Sequence, residues 1–313
     1  SLDPSGGFST ASLGSLVSDF PAPSAGELSQ IAAHIGRCIP DLATRSSVAL
    51  VQPKGELLQQ IGSGTLLVVA ENRFLVTAAH VTRSAVADGR ALGVSGSIDE
   101  RFVATTGRWV VSGEAADDDQ YDIAIYEFNA DQASRFPTDS FVRISDAIFE
   151  EDLSSKFFLV TGFPGMWSTT TSTDAEPMKS RLLQYGTFAL QGTTTGLVNF
   201  DPALHLLLEA TPEHTIDGEG QPVSFRTRTG YAAQIPGDLG GVSGSSVWAI
   251  GDLRIPPADW SVAYSRLVGV ETSVYRGRGA IKATRWKAIT TLLYEAFPVV
   301  RPTIEMYVSM YQS

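Results

Sequence analysis

All four histidines of this 313-residue chain, His34, His80, His205 and His214, come before Ser243, the serine set among glycines in Gly241-Val242-Ser243-Gly244-Ser245. Serine becomes a nucleophile only when an imidazole within hydrogen-bond reach takes its proton, and that imidazole needs a carboxylate to fix its tautomer. His80 closes the segment Val76-Thr77-Ala78-Ala79-His80, and Asp122 opens the segment Asp122-Ile123-Ala124-Ile125. An α/β-hydrolase runs serine, acid, histidine around a Gly-x-Ser-x-Gly elbow. Here no histidine follows Ser243, and the residue two beyond it is Ser245. A subtilisin-like chain places its aspartate before its histidine. The order His80, Asp122, Ser243 therefore selects one class of host fold over the other two.

Local context fits each role. Ala78 and Ala79 let the chain turn tightly after the apolar run Phe74-Leu75-Val76, which brings His80 to a cleft edge. Asp122 leads into an alternating apolar run, whereas the cluster Asp117, Asp118, Asp119 reads as a solvated turn. The glycines around Ser243 leave the backbone N–H groups of Gly241 and Ser243 free to converge as an oxyanion hole. Ser245 and Ser246 lack the Gly-x-Ser-Gly frame. The segment Gly237-Asp238-Leu239-Gly240-Gly241 has a similar frame, but with Leu239, which cannot attack, at its centre. Cys38 precedes Pro40 at the end of a short helical pattern and has no histidine motif tied to it. His205, Glu209, Glu213 and His214 lack metal-ligand spacing, so His205 reads as structural and no metal or other cofactor is expected.

Periodicity predicts an all-β chain. Strands are expected over 48–51, 65–70, 74–77, 102–111 and 123–128, and again over 157–161, 204–209, 246–250 and 267–274, without long helices between them. Such spacing implies two antiparallel β-barrels. The expected organisation is an N-terminal extension over 1–45, a first barrel over 46–135 with His80 and Asp122, and a second over 136–283 with Ser243. A C-terminal helix and tail follow over 284–313. In the extension, Ser24 and Glu27 have capping-box spacing ahead of a helix carrying Leu28, Ile31, Ala32 and Ile35, read as lying outside the core. Thr284 is expected to cap the C-terminal helix, and Pro298 to stop it. Trp167 to Lys179 and Thr211 to Gly230 read as long surface loops.

Together these segments resemble the trypsin-like, chymotrypsin-fold serine peptidases, in particular their disulfide-free bacterial branch, over roughly residues 46–298. The resemblance implies a serine endopeptidase with His80, Asp122 and Ser243 as its triad. It also implies a primary substrate pocket bordered by Gly237, Asp238, Val270, Glu271 and Thr272. The two acids there suggest a basic residue before the scissile bond. Val242 departs from the extracellular pattern, in which an aspartate at that position pairs with a freshly cut N-terminus, so activation by propeptide cleavage is not expected. A different class of function, a peptidase-fold binding or regulatory module held inactive, shares all these residues.

Composition bounds the partners. A net charge of −11 without basic runs argues against nucleic acid or an anionic membrane as the main partner. That leaves a peptide or protein substrate, with room for a regulatory protein. The lone Cys38 permits no internal disulfide, which favours a reducing compartment and a cytoplasmic location. No apolar stretch reaches the ~18 to 20 residues of a membrane span.

Overall fold

The alternating apolar segments form strands because one side of each is buried. The computed structural model describes residues 20–55, 57–96, 102–113, 119–149, 152–165, 171–172, 182–190, 197–211, 216–217, 225–226, 232–233, 241–275 and 278–312. The first sheet contains β1 (Ser47–Lys54), β2 (Leu57–Val69), β3 (Asn72–Ala78), β4 (Gly93–Val94), β5 (Val103–Ala104), β6 (Trp109–Val111) and β7 (Ile123–Glu127). Its order is β5-β4-β1-β2-β3-β7-β6. Two short strands flank β2: β8 (Val142–Arg143) in parallel and β10 (Thr171–Ser172) antiparallel. The second sheet contains β9 (Lys156–Gly162), β11 (Leu183–Phe188), β12 (His205–Glu209), β13 (Ile216–Asp217), β16 (Ser246–Asp252), β17 (Arg266–Tyr275) and β18 (Ala280–Arg285), in the order β12-β18-β17-β16-β9-β11-β13. A separate pair is made by β14 (Phe225–Arg226) and β15 (Ala232–Ala233). Two mainly antiparallel half-barrel sheets with few helices make this an all-β, chymotrypsin-like fold.

Three apolar clusters hold it together. Val48, Leu50, Leu66, Leu75 and Tyr126 fill the first sheet, and Val160, Tyr185, Val247, Val268 and Ala283 fill the second. A third cluster, with Phe74, Val76, Ile123, Phe157, Trp248, Val270 and Trp286, joins the two. Each fully buried large side chain of this kind contributes about 1.5–3 kcal/mol by leaving water. The joining cluster therefore fixes the two halves against each other.

The helices depart most from expectation. Helix α1 (Ala25–His34) has the predicted capping box, with Ser24 N donating to Glu27 at 2.7 Å. It does not lie outside the core: Ile31, Ile35 and Cys38 are buried in the joining cluster, and the Ser265 hydroxyl donates to the Cys38 carbonyl at 3.0 Å. A short α2 (Asp41–Arg45) leads into β1, and α4 (Ala130–Ala133) follows β7. Helix α3 (Ala79–Ala87), which directly follows β3, has no local signal because its N-cap residue, Ala78, offers no side-chain hydrogen bond. The expected strand over 102–111 is two shorter ones, β5 and β6. Helix α5 (Trp286–Ala296) matches the C-terminal prediction, but Thr284 lies in β18 and its hydroxyl donates to the Tyr121 carbonyl at 2.6 Å rather than capping the helix. The chain then continues through α6 (Arg301–Gln312).

Candidate active site

His80 stands in the first turn of α3, where backbone N–H groups have no partner within the helix. Asp122 supplies the missing acceptors from 42 residues away. Its carbonyl accepts from Ala79 N at 2.9 Å, and its Oδ1 accepts from His80 N at 2.9 Å. Its other oxygen, Oδ2, lies 2.9 Å from His80 Nδ1. One carboxylate thus caps the helix and orients the ring that the helix carries. With Nδ1–H directed at Asp122, Nε2 is left as the proton acceptor. Burial of the ring opposes its charged form, but the Asp122 hydrogen bond and charge, with the charge of Glu271, outweigh it and raise the His80 pKa above the ordinary value of 6.5.

Asp122 itself has φ 51°, a left-handed conformation rare for a residue with a side chain and characteristic of functional positions. Its anchor is Asp119. That carboxylate is only 3% exposed and accepts from Asp122 N at 2.9 Å, Tyr121 N at 3.0 Å, the Ser112 hydroxyl at 2.8 Å and the Arg83 guanidinium. Ser112 accepts in turn from Ile123 N at 2.8 Å. The expected solvated turn is therefore a buried knot at Asp119, whose charge is matched by Arg83; Asp117 and Asp118 lie outside the described residues. His205 braces the same loop from the second sheet. Its Nδ1 accepts from Asp201 N at 2.9 Å, so Nε2 carries the proton and donates to the Gln120 carbonyl at 2.7 Å. Burial and nearby Lys282 push the His205 pKa down to about 4, so this histidine is neutral and structural.

Ser243 lies in a turn strapped to the opposite sheet by Ser63 of β2. Ser63 N donates to the Ser243 carbonyl and the Ser63 hydroxyl to the Gly241 carbonyl, both at 2.8 Å. The Ser63 hydroxyl also accepts from Phe163 N at 2.7 Å, and its carbonyl accepts from the Thr77 hydroxyl at 2.6 Å. Gly241 and Gly244 have φ 93° and 97°, and a Cβ at position 244 would sit 1.9 Å from the Ser63 carbonyl oxygen. Only glycine fits there. At Gly62, an added Cβ would meet both Val81, next to His80, and the Ser243 carbonyl, which brings the turn carrying Ser243 against the start of α3. Sequence reasoning missed Ser63 because an isolated serine in a strand carries no local sign of a partner 178 residues away.

The neighbouring serines have other roles. Ser245 is fully buried with its hydroxyl bonded to the Val242 carbonyl, and Ser246 accepts from the Trp248 indole at 2.9 Å. Val242 is buried in the second-sheet cluster. Cys38 is buried, and burial raises its thiol pKa, which leaves it unreactive. Among the expected pocket residues, Val270 packs in the joining cluster and the Thr272 hydroxyl lies 3.4 Å from that of Thr284. Glu271 is completely buried, and burial pushes its pKa up to about 7. Gly237 and Asp238 lie outside the described residues, as do Glu213 and His214. Among the described residues no three His, Cys, Asp or Glu side chains are grouped to hold a metal ion, and no helix is long and apolar enough to cross a membrane.

No protein-family model and no curated protein matches the chain. Solved structures similar to it include the tobacco vein mottling virus protease, at 11% identity over 82% of this chain and 86% of that one, with a TM-score of 0.39. A thermostable serine protease, AL20, from an extremophilic microorganism shares 10% identity over 80% and 96% of the two chains, with a TM-score of 0.42. The tobacco etch virus protease complexed with product shares 12% over 85% and 77%, with a TM-score of 0.35. These similar structures are proteases by description, but likeness at this level assigns neither a mechanism nor a substrate.

Proposed function

We propose that the chain is a serine endopeptidase that hydrolyses peptide bonds through an acyl-enzyme. The observation that carries this reading is Asp122 bonded to both the ring and the backbone of His80, at 2.9 Å each, because it fixes the tautomer that general-base catalysis needs. Ser243 attacks the peptide carbonyl while His80 Nε2 takes its proton. The same imidazolium then protonates the leaving amine, and water, deprotonated by His80, releases the acid product. The N–H groups of Gly241 and Ser243 receive the oxyanion, in a turn held by Ser63. No cofactor enters these steps. The buried Val242 makes no charged pair of the kind that follows propeptide cleavage, which supports a site competent without such cleavage.

A fluorophosphonate tests the assignment without a known substrate. Labelling is expected at Ser243, absent from Ser243→Ala and rising with pH on the acid side as His80 loses its proton. An adduct mapped to another serine overturns the choice of nucleophile. A folded wild type that never labels supports an inactive binding module instead. Cleavage profiling of a peptide library then tests Asp238 as an acid of the primary pocket, where Asp238→Asn is expected to weaken a preference for Lys or Arg before the scissile bond.

A further inference from the structure

Glu271 is a charged-type residue in an apolar setting, and it touches the nucleophile turn on two sides. It stands opposite Ala283 in the β17–β18 ladder, so its side chain shares the face of Ala283, which belongs to the second-sheet cluster with Val160, Tyr185 and Val242. Its backbone clasps the turn: Gly244 N donates to the Glu271 carbonyl and Glu271 N to the Ser245 carbonyl, both at 2.8 Å. Its carboxyl is 0% exposed, and neither oxygen completes a well-formed hydrogen bond among the described residues, although the Ser243 hydroxyl is near enough to favour its charged form. A buried polar group without a partner is costly and calls for an explanation in the site around it.

The groups that act electrostatically on this carboxyl belong to both halves of the fold. His80 comes from α3, Asp122 from the segment before β7, Lys282 from β18, the unpartnered Tyr185 hydroxyl from β11, and the Ser243 hydroxyl from the turn itself. Burial and the charge of Asp122 favour the neutral acid, while His80, Ser243 and Lys282 favour the carboxylate. The result is a proton equilibrium near neutrality, coupled to that of His80.

Resting on the triad reading above, we propose that Glu271 is a positioning residue for Ser243: its neutral form leaves the serine proton to His80, and its ionised form draws that proton toward itself and shuts the site down. The serine hydroxyl has one proton to donate. A carboxylate is a stronger acceptor than a neutral acid and has no proton of its own to give. Ionised Glu271 also raises the His80 pKa, so the base stays charged to higher pH. Both effects act in the same direction, and activity is confined to a window where His80 is neutral and Glu271 still protonated.

The test is the rate of fluorophosphonate labelling from pH 5 to 10 in wild type, Glu271→Gln and Glu271→Met, with Ser243→Ala as the blank. Wild type is expected to give a bell with a falling alkaline limb. Both variants are expected to lose that limb, exceeding wild type at pH 9 by about tenfold or more, since an acid of pKa near 7 is almost wholly ionised there. Their acid limb is expected to move to lower pH because His80 loses a negative neighbour. A wild-type profile still flat or rising at pH 9 overturns the proposal whether or not the variants fold. So does a bell that Glu271→Gln leaves unchanged, or a loss in that variant confined to cleavage after Lys or Arg, which would make Glu271 a specificity group. In each of these cases Ser243-dependent labelling persists and the triad reading stands; if labelling is absent from wild type at every pH, both fall.

Discussion

Two buried carboxyls lie near the candidate site, Asp119 in the segment before β7 and Glu271 in β17, and they are treated in opposite ways. Asp119 accepts from two backbone N–H groups, a hydroxyl and a guanidinium. Glu271 is more deeply buried and completes no well-formed bond of this kind; only the Ser243 hydroxyl is near enough to favour its charged form. Burial alone therefore does not decide how an acid is held in the fold; the supply of donors does. The satisfied acid serves as a fixed point on which Asp122 and His80 are built. The unsatisfied one keeps a proton that a small change in its surroundings can remove.

The contrast is broken most severely at the residue that Asp119 supports. Asp122→Asn is expected to lower kcat by on the order of 10⁴-fold, the loss that tautomer control accounts for in serine-protease triads, while the fold persists. Turnover and circular dichroism measured together check this. An unchanged kcat would mean that the ring of His80 is held by something other than Asp122.

Asp119→Ala removes the anchor and leaves the Arg83 guanidinium, with 18% of its side chain exposed, without its counter-charge. A loss of about 3–5 kcal/mol in unfolding free energy is expected, the scale for breaking a buried pair. Urea denaturation reads it directly, and a loss below ~1 kcal/mol would mean that the buried Asp119–Arg83 pair contributes little to the fold.

For Glu271 the sign is reversed. Its folded pKa of about 7 lies above the ordinary 4.5, so between those values the folded chain holds a proton that the unfolded chain has released. Stability from this group therefore falls as pH rises from 4.5 to 7, and the full penalty, up to about 3 kcal/mol, is present above 7. Glu271→Gln is expected to flatten that part of the stability–pH curve, measured by denaturation at pH 5 and 8. An undiminished slope would mean that the carboxyl does not change state there.

The smallest effect concerns the strap between the sheets. Ser63→Ala loses the hydroxyl bonds to Gly241 O and from Phe163 N but keeps the backbone bond to Ser243. About 1–2 kcal/mol of stability is expected to go, with a larger proportional loss in labelling rate than in global stability if the hydroxyl holds the oxyanion donors in place. Equal losses in both would reduce Ser63 to a structural residue.

What the sequence made legible follows from what is local. The His80, Asp122 and Ser243 segments each carry their signals in neighbouring residues, as do the capping box at Ser24 and the apolar face of α5. Helix α3 is hidden from a local reading because its cap is Asp122, 42 residues on in the segment before β7, and the burial of Asp119 is hidden because the Arg83 that matches it lies 36 residues back. Ser63 and Glu271 were underread for the same reason. Alternation marked where a strand is buried, but not what a polar residue inside it faces.

The Ser63 strap also sets an order in time. Its bonds to Gly241 and Ser243 join residues about 180 positions apart, so they close late by comparison with the hairpin of β2 and β3, whose partners are neighbours. During synthesis from the N-terminus, the histidine and its acid come together in the first sheet while Ser243 has yet to emerge. The turn carrying Ser243 is strapped to Ser63 only once the second sheet has formed and docked on the first. A half-made or half-unfolded chain therefore lacks the strap that brings Ser243 against the start of α3, and the candidate site is assembled only when the two sheets dock.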